Sequence, residues 1–347
     1  MLEIIVNQSY PSFADVFLLR NRQKRCKTAC FVLYFLGNGG MDMRIFPKYY
    51  EKFKCIGSRC KHNCCIGWEI DIDCESAAYY KSVGGEFGKR LEKAISDGDT
   101  PCFILGENER CPFLNSDNLC DIIINLGEEK LCTICGEHPR FHNELPDRVE
   151  SGIGIACEEA ARIIITEKEP FSLVGAKESD DEIIALRDRL LTLLTNREKD
   201  IDERVSEMLT AANAALPEKS ISEWAQVFLA LERLDDAWTD VLNSLSENDT
   251  EQFRAHMKDR SAEYEQLLCY LIYRHFANAP DMYDAAARAA FAALGYKLIF
   301  AAGAATFEKN GKFDISDQIE LCRLFSSEVE YSDENLHILF DCLQTVE

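Results

Sequence analysis

A segment holding 11 of the chain's 16 cysteines opens with Cys55-Ile56-Gly57-Ser58-Arg59-Cys60-Lys61-His62-Asn63-Cys64-Cys65. Its later cysteines include Cys111-Pro112-Phe113-Leu114, then Cys120, Cys132-x2-Cys135-x2-His138 and finally Cys157. Three alternative explanations for this clustering of cysteines are a disulfide framework, a metal site and chance. The tight, ordered spacing argues against chance.

A metal site explains these cysteines better than a disulfide framework does. Disulfide frameworks stabilise short secreted chains, whereas this chain has 347 residues, 47% of them hydrophobic. Adjacent cysteines such as Cys64 and Cys65 rarely bridge each other comfortably. Clustered thiols in a cytosolic chain are typical of metal binding or redox chemistry. The sequence therefore predicts a metal site.

The spacing of the cysteines indicates a metal site more clearly than it indicates which metal is bound. Thiolate ligands suit both zinc and iron–sulfur clusters. Zinc fingers usually carry two C-x2-C pairs, and here only Cys132 and Cys135 have that form. The irregular group from Cys55 to Cys65 fits an iron–sulfur site better, but spacing alone leaves both metals open. The candidate ligands in the motif blocks are Cys55, Cys60, Cys64, Cys65, Cys111, Cys120, Cys132, Cys135 and Cys157.

Several separated motifs resemble one known family. They are Tyr49-Tyr50-Glu51-Lys52-Phe53-Lys54-Cys55-Ile56-Gly57, Gly67-Trp68, Leu131-Cys132-x2-Cys135-x3-Pro139-Arg140-Phe141 and Cys157-x2-Ala160-Ala161-Arg162. In this order they resemble the flagellin lysine N-methylase (FliB) family. The block Cys111-Pro112-Phe113-Leu114, with Cys120, Cys135 and His138-Pro139, is similar to the wider zinc/iron-chelating cysteine-cluster (YkgJ-like) superfamily. The resemblance covers residues 43–165, and Gly136 departs from it because the superfamily has arginine there.

The resemblance implies an enzyme, a protein-lysine N-methyltransferase. Its expected cofactors are a [4Fe-4S] cluster and S-adenosylmethionine, and its expected substrate is flagellin. Arg140 is a candidate anion binder for a carboxylate such as that of S-adenosylmethionine. Glu69, Asp71 and Asp73 are candidate catalytic bases by their proximity to the cysteines, although acidic residues are more often simply solvent-exposed. The alternative function is a non-catalytic zinc- or iron-binding scaffold.

The charge of the chain bears on its partners. The 38 basic and 60 acidic residues give a formal net charge of −22. Such an acidic surface disfavours nucleic acid and anionic membranes, and it is compatible with a lysine-bearing protein substrate. Plain solubility explains the same charge.

The N-terminal residues 1–42 are expected to be an upstream extension or disordered. The apolar run Ala29–Leu36 follows basic residues, but Gly37-Asn38-Gly39-Gly40 lacks a cleavage pattern and the run is shorter than the ~20 residues of a membrane span. We expect translation to begin at Met41 or Met43. With no targeting segment recognised, a cytoplasmic location is expected.

The hydrophobic pattern predicts a mainly α fold: a small cysteine-rich metal-binding region with a short hairpin, then an all-helical domain. The predicted domains are residues 43–165 and 180–347. In the first we expect a brief strand at 68–73, a helix at 75–97 broken at Gly84-Gly85, and a hairpin pairing 111–114 with 119–124. In the second, the alanine-rich stretch 285–305 is expected to be a buried helix.

Overall fold

The computed structural model describes residues 44–98, 100–245 and 251–344. The predicted extension, residues 1–42, lies outside the described residues. The chain forms two compact units: a cysteine-rich unit, Asn63–His138, and a helical unit, residues 44–62 with 139–344. The prediction of a mainly α fold is confirmed. The division differs from the predicted domains, because residues 44–62 and 139–165 lie with the helices.

Short helices joined by loops build the cysteine-rich unit. They are α1 (Cys74–Ser82), α2 (Gly85–Ala94), α3 (Asp121–Leu126) and α4 (Thr133–Glu137). Its core contains the rings of Tyr80, Phe103 and Phe113. The centroid of the Phe103 ring lies 6.3 Å from that of Tyr80 and 5.3 Å from that of Phe113. The predicted break at Gly84-Gly85 separates α1 from α2. Gly88 is required in α2, because a Cβ there would lie 1.9 Å from the carbonyl oxygen of Val83.

Two predicted elements of this unit are wrong. The expected hairpin shrinks to a single bridge between Leu114 and Cys120, and the apolar residues after Cys120 form α3. A three-residue isoleucine run fits either a buried strand or a short helix, so its pattern could not separate them. The expected strand at 68–73 is one bridge between Asp71 and Cys102.

The helical unit begins with a four-stranded sheet. Its strands are β1 (Arg44–Pro47), β2 (Arg140–Leu145), β3 (Arg148–Ile153) and β4 (Leu173–Val174). Their order is β2-β3-β1-β4, with β1 parallel to β3 and antiparallel to β4. The hairpin of the fold is thus β2–β3, turning at Pro146-Asp147, and not the one predicted. Gly152 lies opposite Phe141 on this hairpin, where a Cβ would clash with the ring.

The remaining helices of this unit are amphipathic or buried, as their period predicts. They are α5 (Glu158–Ile165), α6 (Glu182–Leu194), α7 (Ile201–Ala211), α8 (Ile221–Leu229), α9 (Asp236–Ser244), α10 (Glu251–Met257), α11 (Ser261–His275), α12 (Met282–Asn310), α13 (Ile315–Val329) and α14 (Asp333–Leu343). Capping boxes begin α7 at Asp200, α8 at Ser220 and α13 at Asp314.

Helix α12 is the central helix of the core. It is long and apolar enough to cross a membrane, but 72% of its most apolar window is buried inside the protein. It packs against α11, and Gly295 and Gly303 allow the rings of Phe325 and Phe253 to approach closely. The helix ends at Gly311, whose φ of 67° is the left-handed conformation that glycine adopts readily. The predicted buried helix is confirmed.

Candidate metal centre

The cysteine-rich unit brings together thiols from distant parts of its sequence. The backbone amide of Cys111 donates to the carbonyl of Cys65, N···O 2.9 Å, which joins the first motif to the second. The Leu114–Cys120 bridge closes the turn that follows Cys111. Cys132 precedes the first residue of α4, and Cys135 lies within that helix. These local structures position Cys64, Cys65, Cys111, Cys120, Cys132 and Cys135.

Cys64 and Cys65 share a hydrogen bond despite being adjacent. The Cys65 thiol donates to Cys64, and this bond, together with His138, lowers the pKa of Cys64 to about 4 against the opposing effect of burial. The same hydrogen bond raises the pKa of Cys65, as do its burial and the charge of Cys64. The two adjacent thiols are therefore shifted in opposite directions, with Cys64 the more acidic.

Cys132 and Cys135 form a second pair of the same kind. The hydrogen bond from Cys135 lowers the pKa of Cys132, although burial opposes it. It raises the pKa of Cys135, and burial adds to that increase. The two residues are one helical turn apart, so the C-x2-C spacing on a helix N-terminus places both thiols on one side.

The pairs also influence each other electrostatically. Negative charge on Cys65 and Cys111 raises the pKa of Cys135, and charge on Cys111 and Cys120 raises that of Cys65. Burial is the main cause that raises the pKa of Cys111, followed in the same direction by Cys120 and Cys132. Each of these thiols is therefore harder to ionise beside its neighbours, and a bound cation would favour the thiolate forms.

The donor set of these six residues fits a soft metal, since thiolates bind zinc and iron–sulfur clusters. Within residues 44–98, 100–245 and 251–344, however, no three or more His, Cys, Asp or Glu side chains are grouped closely enough to hold a metal ion as they stand. The fit rests on the type of donor. It does not identify which thiols would ligate.

The other three candidate ligands lie in the helical unit. The Cys60 thiol approaches Glu158 Oε2 at 3.5 Å, and burial followed by the Glu158 charge raises the pKa of Cys60 to about 12. The charge of Cys157 acts on Cys60 in the same direction. The amide of Gly57 donates to the Cys55 sulfur at 3.4 Å. Cys60 and Cys157 are thus neighbours within this unit.

Glu158 was missed by the sequence reasoning. Its Oε2 accepts hydrogen bonds from the amides of Lys61 and His62, at 2.7 and 3.2 Å. Burial would raise the pKa of Glu158, but these bonds outweigh it and the pKa is lowered. The carboxylate therefore fixes the loop that carries Cys60. Its position directly after the candidate ligand Cys157 was the one feature of the sequence that pointed to a role near the cysteines.

The three candidate bases differ in their surroundings. Asp73 caps α1 by accepting from the Ser76 amide, and its other oxygen accepts from the Thr133 amide and hydroxyl, at 2.9 and 3.0 Å. These bonds lower the pKa of Asp73 although burial opposes them. Glu69 is exposed, and Asp71 pairs through its backbone with Cys102. The contacts of Asp73 give it a structural role that joins α1 to α4.

Arg140 begins strand β2 in the helical unit. Its guanidinium lies over the ring of Phe53, 5.3 Å from the centroid. A guanidinium stacked on a ring can still present its N–H groups at the edge to an anion. Binding of a carboxylate by Arg140 stays a prediction.

Comparison with known proteins bears on the C-terminal part. Residues 190–347 match the family model described as FliB lysine N-methylase C-terminal domain. This part of the chain is thus similar to the FliB C-terminal domain. The family resemblance predicted from the cysteine motifs is thereby confirmed. The FliB match begins inside α6 and includes the core helices α11 and α12.

Three curated proteins are similar to part of this chain. A Lysine-N-methylase of Salmonella typhimurium and one of Salmonella choleraesuis are each 28% identical over 137 residues, 37% of this chain. The chain spans only about a third, 33%, of the length of these two proteins. The Flagellar biosynthetic protein FliU of Salmonella muenchen is 29% identical over 143 residues, 38% of this chain and 82% of its own length. Among solved structures, none matches the chain.

Proposed function

We propose that the chain is a cytoplasmic protein-lysine N-methyltransferase that transfers a methyl group from S-adenosylmethionine to lysines of flagellin. The match of residues 190–347 to the FliB C-terminal domain carries this proposal. The names of the relatives, two lysine-N-methylases and a flagellar biosynthetic protein, support the reaction and the substrate.

The cysteine-rich unit would hold the metal group of this enzyme. Cys64, Cys65, Cys111, Cys120, Cys132 and Cys135 are the residues proposed to do so, and their thiols suit a [4Fe-4S] cluster, with zinc as the alternative. When bound, such a cluster supplies thiolate-held iron. The pKa shifts of Cys64 and Cys132, each caused first by its partner cysteine, support two pairs of neighbouring thiols in this unit.

The residues of the chain must also handle the proton of the substrate. A lysine ammonium has no lone pair, so it must lose its proton before the nitrogen can attack a methyl group. The new C–N bond forms as the C–S bond of the donor breaks, and the electron pair stays on sulfur. A negatively charged protein, −22 overall, favours the approach of a cationic substrate.

The proposal is tested by anaerobic purification with iron, sulfide and zinc analysis, followed by a methyl-transfer assay on purified flagellin. We expect stoichiometric iron and sulfide, broad visible absorption and methylated lysines detected by mass spectrometry. A colourless protein with tightly bound zinc and no transfer would instead support the scaffold function. Iron without methyl transfer, using protein shown to be folded, would contradict the enzymatic assignment.

A further inference from the structure

Helix α2 carries an arginine that contacts both ends of the loop between Cys111 and Cys120. Arg90 Nη2 donates to the carbonyl oxygen of Pro112 at 2.6 Å, and Pro112 follows Cys111. Arg90 Nη1 donates to Asp121 Oδ2, also at 2.6 Å, and Asp121 follows Cys120. One guanidinium therefore joins the residues that come directly after these two cysteines.

The orientation of this guanidinium is restricted further by an aromatic ring. The guanidinium carbon of Arg90 lies 5.2 Å from the centroid of the Phe113 ring, and Phe113 is fully buried. Arginine presents its N–H groups as a rigid planar fork, so two acceptors bound by different nitrogens are held at a set separation. A lysine ammonium has no such fork. The contacts of Arg90 thus fix the two ends of the loop relative to each other.

Asp121 connects this arginine to the turn within the loop. Its Oδ1 accepts from the side-chain amide of Asn115 at 3.0 Å. Asn115 Oδ1 in turn accepts from the backbone amides of Asp117 and Leu119, at 2.9 and 3.0 Å. One carboxylate oxygen of Asp121 therefore bonds within the loop, and the other bonds to Arg90.

The two thiols at the ends of this loop influence each other. Burial is the main cause that raises the pKa of Cys111, and the charge of Cys120 acts in the same direction. Two thiols can ligate one metal only at a defined separation, because metal–sulfur distances are narrowly set. A residue that fixes the ends of the loop would therefore affect metal binding.

The ion pair between Arg90 and Asp121 is too exposed to contribute much to folding. The Arg90 side chain is 43% exposed and that of Asp121 is 15% exposed. Ion pairs near the surface contribute little to the free energy of unfolding, since solvent screens them. An effect of Arg90 on metal binding can therefore be measured apart from an effect on stability.

We propose that Arg90 is a positioning residue of the metal centre. By binding Pro112 and Asp121 at once, it holds the Cys111 and Cys120 thiols where both can ligate one metal. This assignment rests on the metal centre of the proposed function. Replacing residues that orient metal ligands in this way typically weakens metal binding by about tenfold to a hundredfold.

The test compares the full chain with Arg90→Gln, which removes the fork and its charge. Both proteins are purified anaerobically, iron and zinc per chain are measured, and the metal-free proteins are titrated with Co²⁺, whose thiolate complexes are coloured. We expect Arg90→Gln to bind Co²⁺ about tenfold to a hundredfold more weakly, with weaker thiolate-to-cobalt charge-transfer absorption. Equal affinity and equal absorption would overturn the proposal.

Lys89→Gln is the matched control, since it removes one positive charge from the same helix. The ion pair of Lys89 is with Glu86, which also lies on α2 and outside the loop. We expect this variant to bind Co²⁺ as the wild type does. Equal losses in Lys89→Gln and Arg90→Gln would assign the effect to net charge and overturn the proposal.

Arg90→Lys separates the fork from its charge. The substitution keeps a cation near Asp121 but loses the planar pair of donors that reaches two acceptors. We expect a Co²⁺ affinity between those of the wild type and Arg90→Gln. Full recovery of affinity and absorption in Arg90→Lys would reject positioning by the guanidinium fork.

Urea denaturation of the metal-free proteins distinguishes positioning from folding. We expect similar urea midpoints for Arg90→Gln and Lys89→Gln, because both ion pairs are exposed. A large decrease in Arg90→Gln alone would make the role of Arg90 structural and overturn the proposal. If that variant does not fold, Asp121→Asn replaces it, and unchanged Co²⁺ binding by Asp121→Asn would then overturn the proposal.

The metal measurements and the methyl-transfer assay fail independently. Wild-type protein that binds neither iron, zinc nor Co²⁺ would reject the metal centre and, with it, the role of Arg90. Metal bound equally by the wild type and Arg90→Gln would reject the role of Arg90 alone. Weaker metal binding by Arg90→Gln, in a protein whose wild type transfers no methyl group to flagellin, would sustain that role and reject the proposed enzyme.

Discussion

Arg187 and Glu150 form a fully buried ion pair that ties helix α6 to strand β3. The guanidinium donates two hydrogen bonds to the carboxylate, at 2.5 and 2.8 Å, and the two side chains are 1% and 0% exposed. Burial alone would lower the pKa of Arg187, but the bonds and charge of Glu150 outweigh it and raise it. The pair is charged and oriented in the folded state.

Removing one partner of this pair should be severely destabilising. Arg187→Met leaves the Glu150 carboxylate buried without its cation, and we expect the free energy of unfolding to fall by about 3–5 kcal/mol. Urea denaturation measures it. Arg189→Met, an exposed arginine on the same helix, should change stability by less than ~0.5 kcal/mol. Similar losses in both variants would show that the pair has no special contribution.

The thiols of the cysteine-rich unit should determine metal content. Replacing Cys132 and Cys135 together by serine removes one hydrogen-bonded pair, and we expect at least the roughly tenfold loss of metal affinity that even outer-shell changes cause. Iron and zinc per chain are measured after anaerobic purification. Cys342→Ser is the control, because this thiol is exposed at the end of the helical unit. Unchanged metal in the double variant would exclude both residues as ligands.

Gly88 should tolerate no side chain. Gly88→Ala would place a Cβ 1.9 Å from the carbonyl oxygen of Val83, which is backbone and cannot rotate away. We expect a loss of about 1–3 kcal/mol, as for other overpacked sites. Hydrogen exchange of amides in residues 63–138 would report it. Gly106→Ala should leave exchange nearly unchanged, because its nearest neighbour is 3.5 Å away and its φ is −85°. Protection equal to wild type in Gly88→Ala would contradict the packing.

The buried His275 should make stability depend on pH. Burial lowers its pKa, with Arg274 and Arg288 acting in the same direction, although the hydrogen bond to Glu330 opposes them. Below pH ~6.5, His275 therefore binds more protons in the unfolded state than in the folded state. Its contribution to the free energy of unfolding is fully present above that pH and falls as the pH drops, by at most about 1.4 kcal/mol per pH unit.

The measurement is the urea midpoint between pH 7.5 and 5.5. His275→Gln should reduce the slope, and His337→Gln, which alters an exposed histidine, should retain it. The window lies above the range in which Glu330 protonates, since the charge of Arg274 and the His275 hydrogen bond lower the pKa of that carboxyl despite its burial. A slope that persists in His275→Gln would assign the pH dependence to other groups.

Sequence reasoning located the cysteine region and the helical class because both are local signals. Thiol spacing is visible in consecutive residues, and the 3.6-residue period marks helices such as α6 and α12. It failed at Ile122–Ile124, where apolar residues fit a strand or a helix equally well. It also missed Glu158, whose role depends on the amides of Lys61 and His62 about 97 residues earlier.

The sequence by itself determined the cysteine motifs, the acidic charge and the order of amphipathic helices, since each depends only on neighbouring residues. Only the tertiary structure decided that residues 44–47, 140–145, 148–153 and 173–174 form one sheet, and that Arg187 pairs with Glu150. These relationships join residues far apart in the chain. They are fixed by burial and by hydrogen-bond satisfaction, which no local pattern encodes.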